Sequence, residues 1–188
     1  MEAAERELVV ENLAQSRERL ILTIEGLSKE QRNFRPSEDR WSIADCIEHI
    51  TIVESNILRG IQKVLQAPPE PARQDEVRGK DKMILEKVPA RRQRVKGPAE
   101  AMPRGRWPDF EELVRQFEAT RERSLRFSAV TQADLRKHFF PHPLLGLLDC
   151  HQWLLFLGAH CERHVRQMEE VKSDPAFPTH RQAEQAGA

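Results

Sequence analysis

The sequence has few cysteines, no excess of either charge and no long apolar run, and each shortage removes a class of protein. Three cysteines at irregular positions in 188 residues cannot build the disulfide framework that staples small secreted domains. Reduced thiols in a cytoplasmic protein are the expectation. Lys plus Arg number 30 and Asp plus Glu number 30, so bulk charge gives no reason to expect nucleic acid or an anionic membrane as partner. No apolar run reaches the roughly 18 residues that mark a membrane-spanning helix. The opening Met-Glu-Ala-Ala-Glu-Arg-Glu also lacks the basic-then-apolar order of a secretory signal. Convincing period-two alternation and internal repeats are missing too, which leaves helical periodicity as the organising pattern.

Four amphipathic segments carry that periodicity. Residues 2–27 open with glutamates and place Leu13, Leu20, Ile24 and Leu27 on one face. Ser42 with Asp45 three positions on is a capping-box variant, and starts a second helix running to about Gln66 before Pro68 and Pro69. Its apolar stripe is Ile43, Ile47, Ile50, Ile57, Ile61 and Val64. Trp107-Pro-Asp-Phe110 starts a third, with Phe110, Leu113, Val114, Phe117 and Leu125 facing inward. The fourth is read from Leu144 to Val171, its stripe being Leu147, Leu154, Leu157, Cys161, Met168 and Val171.

Between the second and third helices, residues 67–106 are proline-rich and basic, with one short helical candidate at Asp81–Lys87. Such a connection allows the second and third helices to lie parallel. The expectation is therefore an all-α four-helix bundle, up-down-down-up, spanning 1–172, with a frayed tail at 173–188. The crossover's Arg91, Arg92, Arg94, Lys96, Arg104 and Arg106 form a basic cluster. With no aromatic residues interleaved for stacking, it reads as a solvated loop rather than a nucleic-acid surface.

The chemistry concentrates on histidines. His160 and His164 are one turn apart on the fourth helix, the spacing at which a helix aims two imidazoles at one spot. A third ligand is needed, and His49, on the flank of the second helix's stripe, is the candidate. Three imidazoles that leave a coordination position open describe a catalytic rather than a structural metal site. Other schemes remain open at this point. Cys46 with His49 and Cys161 with His164 would make a closed Cys2His2 set, and His138, His142 and His151 are further donors. Neither His-Glu-x-x-His nor the paired Glu-x-x-His of di-iron bundles is present. Glu54, an acid on an apolar stripe, would orient a ligand, accept a proton or reach an arginine. Gln167, one turn past His164, would hydrogen-bond a ligand or bound water, or simply lie on the surface.

The pieces Trp41-Ser-Ile-Ala-Asp-Cys-Ile-Glu-His49 with Glu54, His142-Pro-Leu-Leu-Gly146, and Gln152-Trp-Leu-Leu-Phe156 with His160, His164 and Gln167 together resemble the DinB-like superfamily of bacterial four-helix bundles. Val88-Pro89, Arg91, Gly105 and Trp107 extend the likeness into the crossover. The resemblance implies a divalent metal, often zinc or nickel, held by His49, His160 and His164. It implies activity as a transferase that uses a low-molecular-weight thiol or as a metal-dependent hydrolase, a small-molecule substrate, and in many members a homodimer. The alternative is a non-catalytic metal- or ligand-binding bundle with a stress-response role.

Overall fold

The computed structural model describes residues 1–91 and 99–179. Its helices are α1 (Ala3–Ile24), α2 (Lys29–Asn33), α3 (Ile43–Val64), α4 (Lys80–Lys87), α5 (Phe110–Val130) and α6 (Cys150–Lys172). Two short strands, β1 (Phe139–His142) and β2 (Gly146–Asp149), pair antiparallel. Among the described residues no helix is long and apolar enough to cross a membrane.

The bundle proper is α1, α3, α5 and α6, and its directions can be read from side chains. Arg19 reaches Glu162 and Glu169, and the Lys172 ammonium donates to the Thr23 carbonyl, so α1 and α6 run parallel. Arg6 donates to the Ser128 and Ala129 carbonyls and Arg17 pairs with Glu118, which sets α5 antiparallel to α1. The N-terminal halves of α3 and α5 meet through Ile43, Ile47, Leu113 and Phe117. The order is up-down-down-up, as expected. Each of α1 and α3 borders both α5 and α6, so the consecutive helices α1 and α3 lie across a diagonal.

Local chemistry explains the boundaries. The Ser42 hydroxyl accepts from the Asp45 N–H, and the Asp45 carboxylate accepts from the Ser42 N–H, closing the box that starts α3. The first helix stops at Ile24 rather than 27, because Gly26 adopts φ +70°, a left-handed conformation that ends a helix. Ser28 then caps the separate short α2.

The fourth helix begins at Cys150, not Leu144, and the stretch before it is a hairpin where no strand was expected. Gly146 takes φ +69°, and the His142 Nδ1 accepts from the Leu144 and Leu145 N–H groups, folding the chain back. Asp149 then caps α6 through the Gln152 N–H at 2.7 Å. Leu147, read as helix stripe, therefore lies in a strand.

The predicted short helix in the crossover is α4, whose Ile84 is fully buried. The tail was expected to fray from residue 173 on. Instead Phe177 packs edge-on against Phe34, and the Pro178 carbonyl accepts from Gln31. Residues 180–188, the rest of that tail, lie outside the described residues, as do Arg92, Arg94 and Lys96 of the basic cluster.

Two apolar clusters fill the bundle. One end holds Leu20, Ile43, Ile47, Phe117, Val165 and Met168; the other holds Val9, Leu13, Ile57, Ile61 and Leu154. Ser16, Glu54 and Arg121 fall between them on α1, α3 and α5 and form a buried polar layer.

The contact of α1 with α6 is close at Gly158, where an added Cβ would stand 1.7 Å from the Asn12 Oδ1 and 2.9 Å from its carbonyl oxygen. A rotated Asn12 side chain relieves the first clash, but the backbone oxygen cannot step aside alone. Gly158→Ala is expected to destabilise by about 1–3 kcal/mol, read as a lowered urea midpoint at unchanged m-value. A midpoint equal to the wild type would show that the helices separate freely.

Candidate metal centre

His49 comes from α3 and His160 and His164 come from α6, at the interface where these helices border one another. The three are the one set of at least three metal-type donors found together among the described residues, with their ligand atoms all within 4.8 Å of one another. His49 and His164 are buried, while His160 is partly exposed and opens the cluster to solvent.

The hydrogen bonds fix two tautomers. His49 Nδ1 lies 2.7 Å from the Ala101 carbonyl oxygen, which only accepts, so Nδ1 carries the proton and Nε2 keeps its lone pair. His164 Nδ1 lies 3.0 Å from Gln167 Oε1. That oxygen also receives Arg91 Nη1 at 2.7 Å. Because arginine can only donate, the amide oxygen must sit there, and His164 likewise donates from Nδ1. The freed His164 Nε2 faces His160 Nε2 at 3.1 Å. Two nitrogens bound about 2.0–2.1 Å from one tetrahedral cation stand roughly 3.3 Å apart, so this pair fits a shared ion. The wider spread of the full set, up to 4.8 Å, would have to close by side-chain rotation.

Packing limits that rotation. Trp41 stacks on His164 at 5.9 Å between centroids and leans on His49 at 4.8 Å, and Phe156 stacks on His160 at 5.2 Å. Burial pushes the His49 pKa below the ordinary 6.5, with the Ala101 carbonyl opposing the shift. Burial together with neighbouring imidazoles pushes His160 and His164 well below it. All three are therefore neutral at pH 7, the protonation state a metal ligand needs.

Arg91 clamps the α6 side. It forks onto Glu170, with Nε at 2.8 Å and Nη2 at 3.0 Å, while its Nη1 holds Gln167. Its φ of +46° is the one positive value outside glycine among the described residues. Left-handed backbone at a non-glycine residue is strained and persists only when its surroundings hold it. Gln167 is thus placed where the sequence suggested, against a candidate ligand.

Glu54 is not. Its carboxylate is buried against Arg121, with Arg121 Nε at 2.9 Å from Oε1 and Nη2 at 2.8 Å from Oε2. Five residues beyond His49 on the same helix, it points into the core, so it neither orients a ligand nor accepts a proton there. The Cys2His2 alternative fails as well: the Cys161 thiol donates to the Ser16 carbonyl at 3.4 Å, and burial pushes its pKa up to about 11. Cys46 is fully buried, and desolvation raises its pKa too. His138 faces the Asp134 and Ala67 carbonyls, and His151 sits near Glu5 and Asp81. His142 packs between Trp153 and Phe156.

Sequence reasoning missed Glu48. Its buried carboxylate accepts from the Arg104 and Gly105 N–H groups, both at 2.9 Å, and from Arg106 at 3.3 Å. Together with the His49–Ala101 bond it pins the end of the crossover beside the centre. The arginines of the basic cluster that are described have local partners: Arg104 donates to the Ala99 carbonyl and Arg106 to that of Glu100.

The uncharacterised protein YuaE of Bacillus subtilis strain 168 is 28% identical over 149 residues, covering 79% of this chain and 88% of its own. The solved structure of YfiT from Bacillus subtilis, described as a probable metal-dependent hydrolase with an unusual four-helix bundle topology, superposes with a TM-score of 0.58. It covers 95% of this chain and 91% of its own at 11% identity, a likeness of fold alone. The family profile of the DinB superfamily matches residues 12–168, and the chain belongs to that superfamily.

Proposed function

We propose that the protein is a metal-dependent enzyme in which His49, His160 and His164 hold one divalent cation, zinc or nickel, and that it acts on a small electrophilic molecule. The observation that carries this reading is the pair of Nδ1–H bonds to Ala101 and Gln167, which leaves the Nε2 lone pairs of His49 and His164 free beside His160. Such a cation, when present, supplies Lewis acidity that makes a thiol or a water a nucleophile at neutral pH.

The chain's own groups do the rest. The carbonyl of Ala101 and the amide of Gln167 keep two imidazoles in the ligating tautomer and raise their basicity. Trp41 and Phe156 exclude water from their ring faces. The partly exposed His160 leaves the approach for substrate. Three neutral ligands leave the full dipositive charge uncompensated, which favours an anionic nucleophile. The described cysteines are buried with raised pKa or engaged in the core. A sulfur nucleophile would therefore come from a low-molecular-weight thiol cosubstrate. A cytoplasmic location, where such thiols are reduced, and a homodimer belong to the same proposal.

Metal content is first measured on protein purified without added metal or a histidine tag. The loaded protein is then given a chlorinated aromatic with and without glutathione or cysteine, and separately an activated ester, alongside His160→Ala. Turnover that requires the thiol identifies an S-transferase, and ester cleavage without thiol identifies a hydrolase. Equal rates in wild type and His160→Ala would reject the enzyme and favour a non-catalytic metal-binding bundle.

A further inference from the structure

Arg59, Arg123 and Arg126 stand apart from the other charges of the bundle. Several other guanidinium groups meet carboxylates: Arg17 reaches Glu118 and Glu122, Arg19 reaches Glu162 and Glu169, and Arg136 gathers Glu5, Asp81 and Asp149. Among the described residues none of these three has a carboxylate partner, and Arg123 donates only to the Thr120 hydroxyl. Yet all three line one groove between the C-terminal halves of α3 and α5, a cavity of about 480 Å³.

Helix geometry makes this convergence deliberate. On α3, Ser55, Arg59 and Gln62 are spaced four and three residues apart, which is one face. On α5, Arg123, Arg126 and Val130 are spaced three and four apart, also one face. Like charges at such spacing repel, and the second helix adds a third cation to the same space. Between the arginines the floor is apolar: Leu58 is buried, Phe127 half-buried, and Val130 stays 63% exposed at the groove's edge. His49 lies in the N-terminal half of α3, so this groove is at the other end of that helix from the histidines.

We propose that the groove binds a small phosphate-bearing molecule with an apolar moiety. The guanidinium forks of Arg59, Arg123 and Arg126 take the phosphate, Ser55 and Gln62 add neutral hydrogen bonds, and Phe127 with Val130 covers the apolar part. Planar guanidinium groups match phosphate oxygens two at a time, and the cavity is of the size that small ligands fill. A long polyanion would need basic residues continuing beyond the groove. Among the described residues no further basic residue lines the groove, and the neighbouring acids Glu118 and Glu122 of α5 pair with Arg17 of α1.

The test is backbone-amide NMR on the full, metal-free chain, titrated with phenyl phosphate, inorganic phosphate and benzyl alcohol. Phenyl phosphate is expected to shift resonances of 55–62 and 123–130 saturably, inorganic phosphate to shift the same residues more weakly, and benzyl alcohol to shift them least. R123Q/R126Q, which alters only exposed side chains and is expected to melt like the wild type, should weaken phenyl phosphate by about tenfold or more. No saturable shifts in the groove, equal affinity in R123Q/R126Q, or benzyl alcohol binding as well as phenyl phosphate would each overturn the proposal. So would arginine-dependent binding of a labelled single-stranded oligonucleotide or of phosphatidylglycerol vesicles without any response to phenyl phosphate, because the face would then recognise a polyanionic surface.

Discussion

Arg121→Ala is expected to cost about 3–5 kcal/mol of stability, the typical penalty for leaving the partner of a buried ion pair alone. Arg121 is fully buried and Glu54 is 2% exposed. The guanidinium donates from Nε to both Glu54 oxygens, from Nη2 to Oε2, and from Nη1 to the Leu13 carbonyl and the Ser16 hydroxyl, the last two at 2.7 Å. Truncation strands a carboxylate in the core and removes the donor for a buried carbonyl. Against a total stability of roughly 5–15 kcal/mol for a domain, that loss leaves little margin.

The pair's net worth is another matter. Desolvating two charges consumes most of their attraction, so Glu54→Leu combined with Arg121→Met is expected to return to near or above wild-type stability. Urea unfolding of the metal-free protein measures both variants. A single variant within about 1 kcal/mol of wild type, inside the range of exposed pairs, would mean that water reaches this layer. A double variant as unstable as the single would mean that the hydrogen bonds to Leu13 and Ser16, not the charges, hold the helices together.

This layer also shows what one dimension of sequence conveys. Glu54 is conspicuous as an acid interrupting an isoleucine stripe, and an arginine is among the partners such a residue would seek. Arg121 carries no mark of its own: α5 also bears Arg115, Arg123 and Arg126, and only the packing of α1, α3 and α5 decides which is buried. The helices themselves were legible because a 3.6-residue period needs no knowledge of partners, and the long crossover constrained their directions.

The hairpin before α6 was not legible. Gly146-Leu-Leu-Asp149 runs into the apolar sequence of the helix, Pro141 breaks the alternation in its partner strand, and Pro143 lies in the turn between them. The decisive signals, a left-handed Gly146 and a carboxylate cap at Asp149, look like ordinary helix-interior breaks until the pairing is seen.

At the candidate centre, His160 and His164 were legible for the same reason as the helices, since their convergence is a local property of one helix. That His49 joins them depends on the register between α3 and α6, which periodicity alone does not set. The place of His49 on the flank of the α3 stripe made it a candidate, and the resemblance to known bundles then favoured it over the other histidines. Glu48 stayed hidden because its partners are three backbone N–H groups at 104–106, and backbone donors leave no trace in residue identity.

Metal binding by the folded protein is expected to survive to a lower pH than free imidazole chemistry allows. In an unstructured chain protons compete with a cation below about pH 6.5. Here burial lowers the pKa of His49, and burial with mutual repulsion lowers His160 and His164 further. The folded, metal-free state therefore binds fewer protons than the unfolded state just below 6.5. For these histidines, stability is fully present above 6.5 and is lost as pH falls from there through the lower folded values.

The same depression protects the cation, because its competitor for the lone pairs is bound weakly. Occupancy measured by equilibrium dialysis against zinc or cobalt should hold through pH 6.5 and decline only well below it. A midpoint at or above 6.5 would show that the ligands titrate as exposed imidazoles and that the burial of this centre does not govern it. Substitution gives the complementary measurement. Gln167→Ala, which removes the acceptor of the His164 Nδ1 proton, should weaken affinity by about 10–100-fold. His49→Ala, His160→Ala and His164→Ala should each exceed that loss. If His49→Ala weakened binding no more than Gln167→Ala does, the cation would rest on α6 alone and α3 would not take part in holding it.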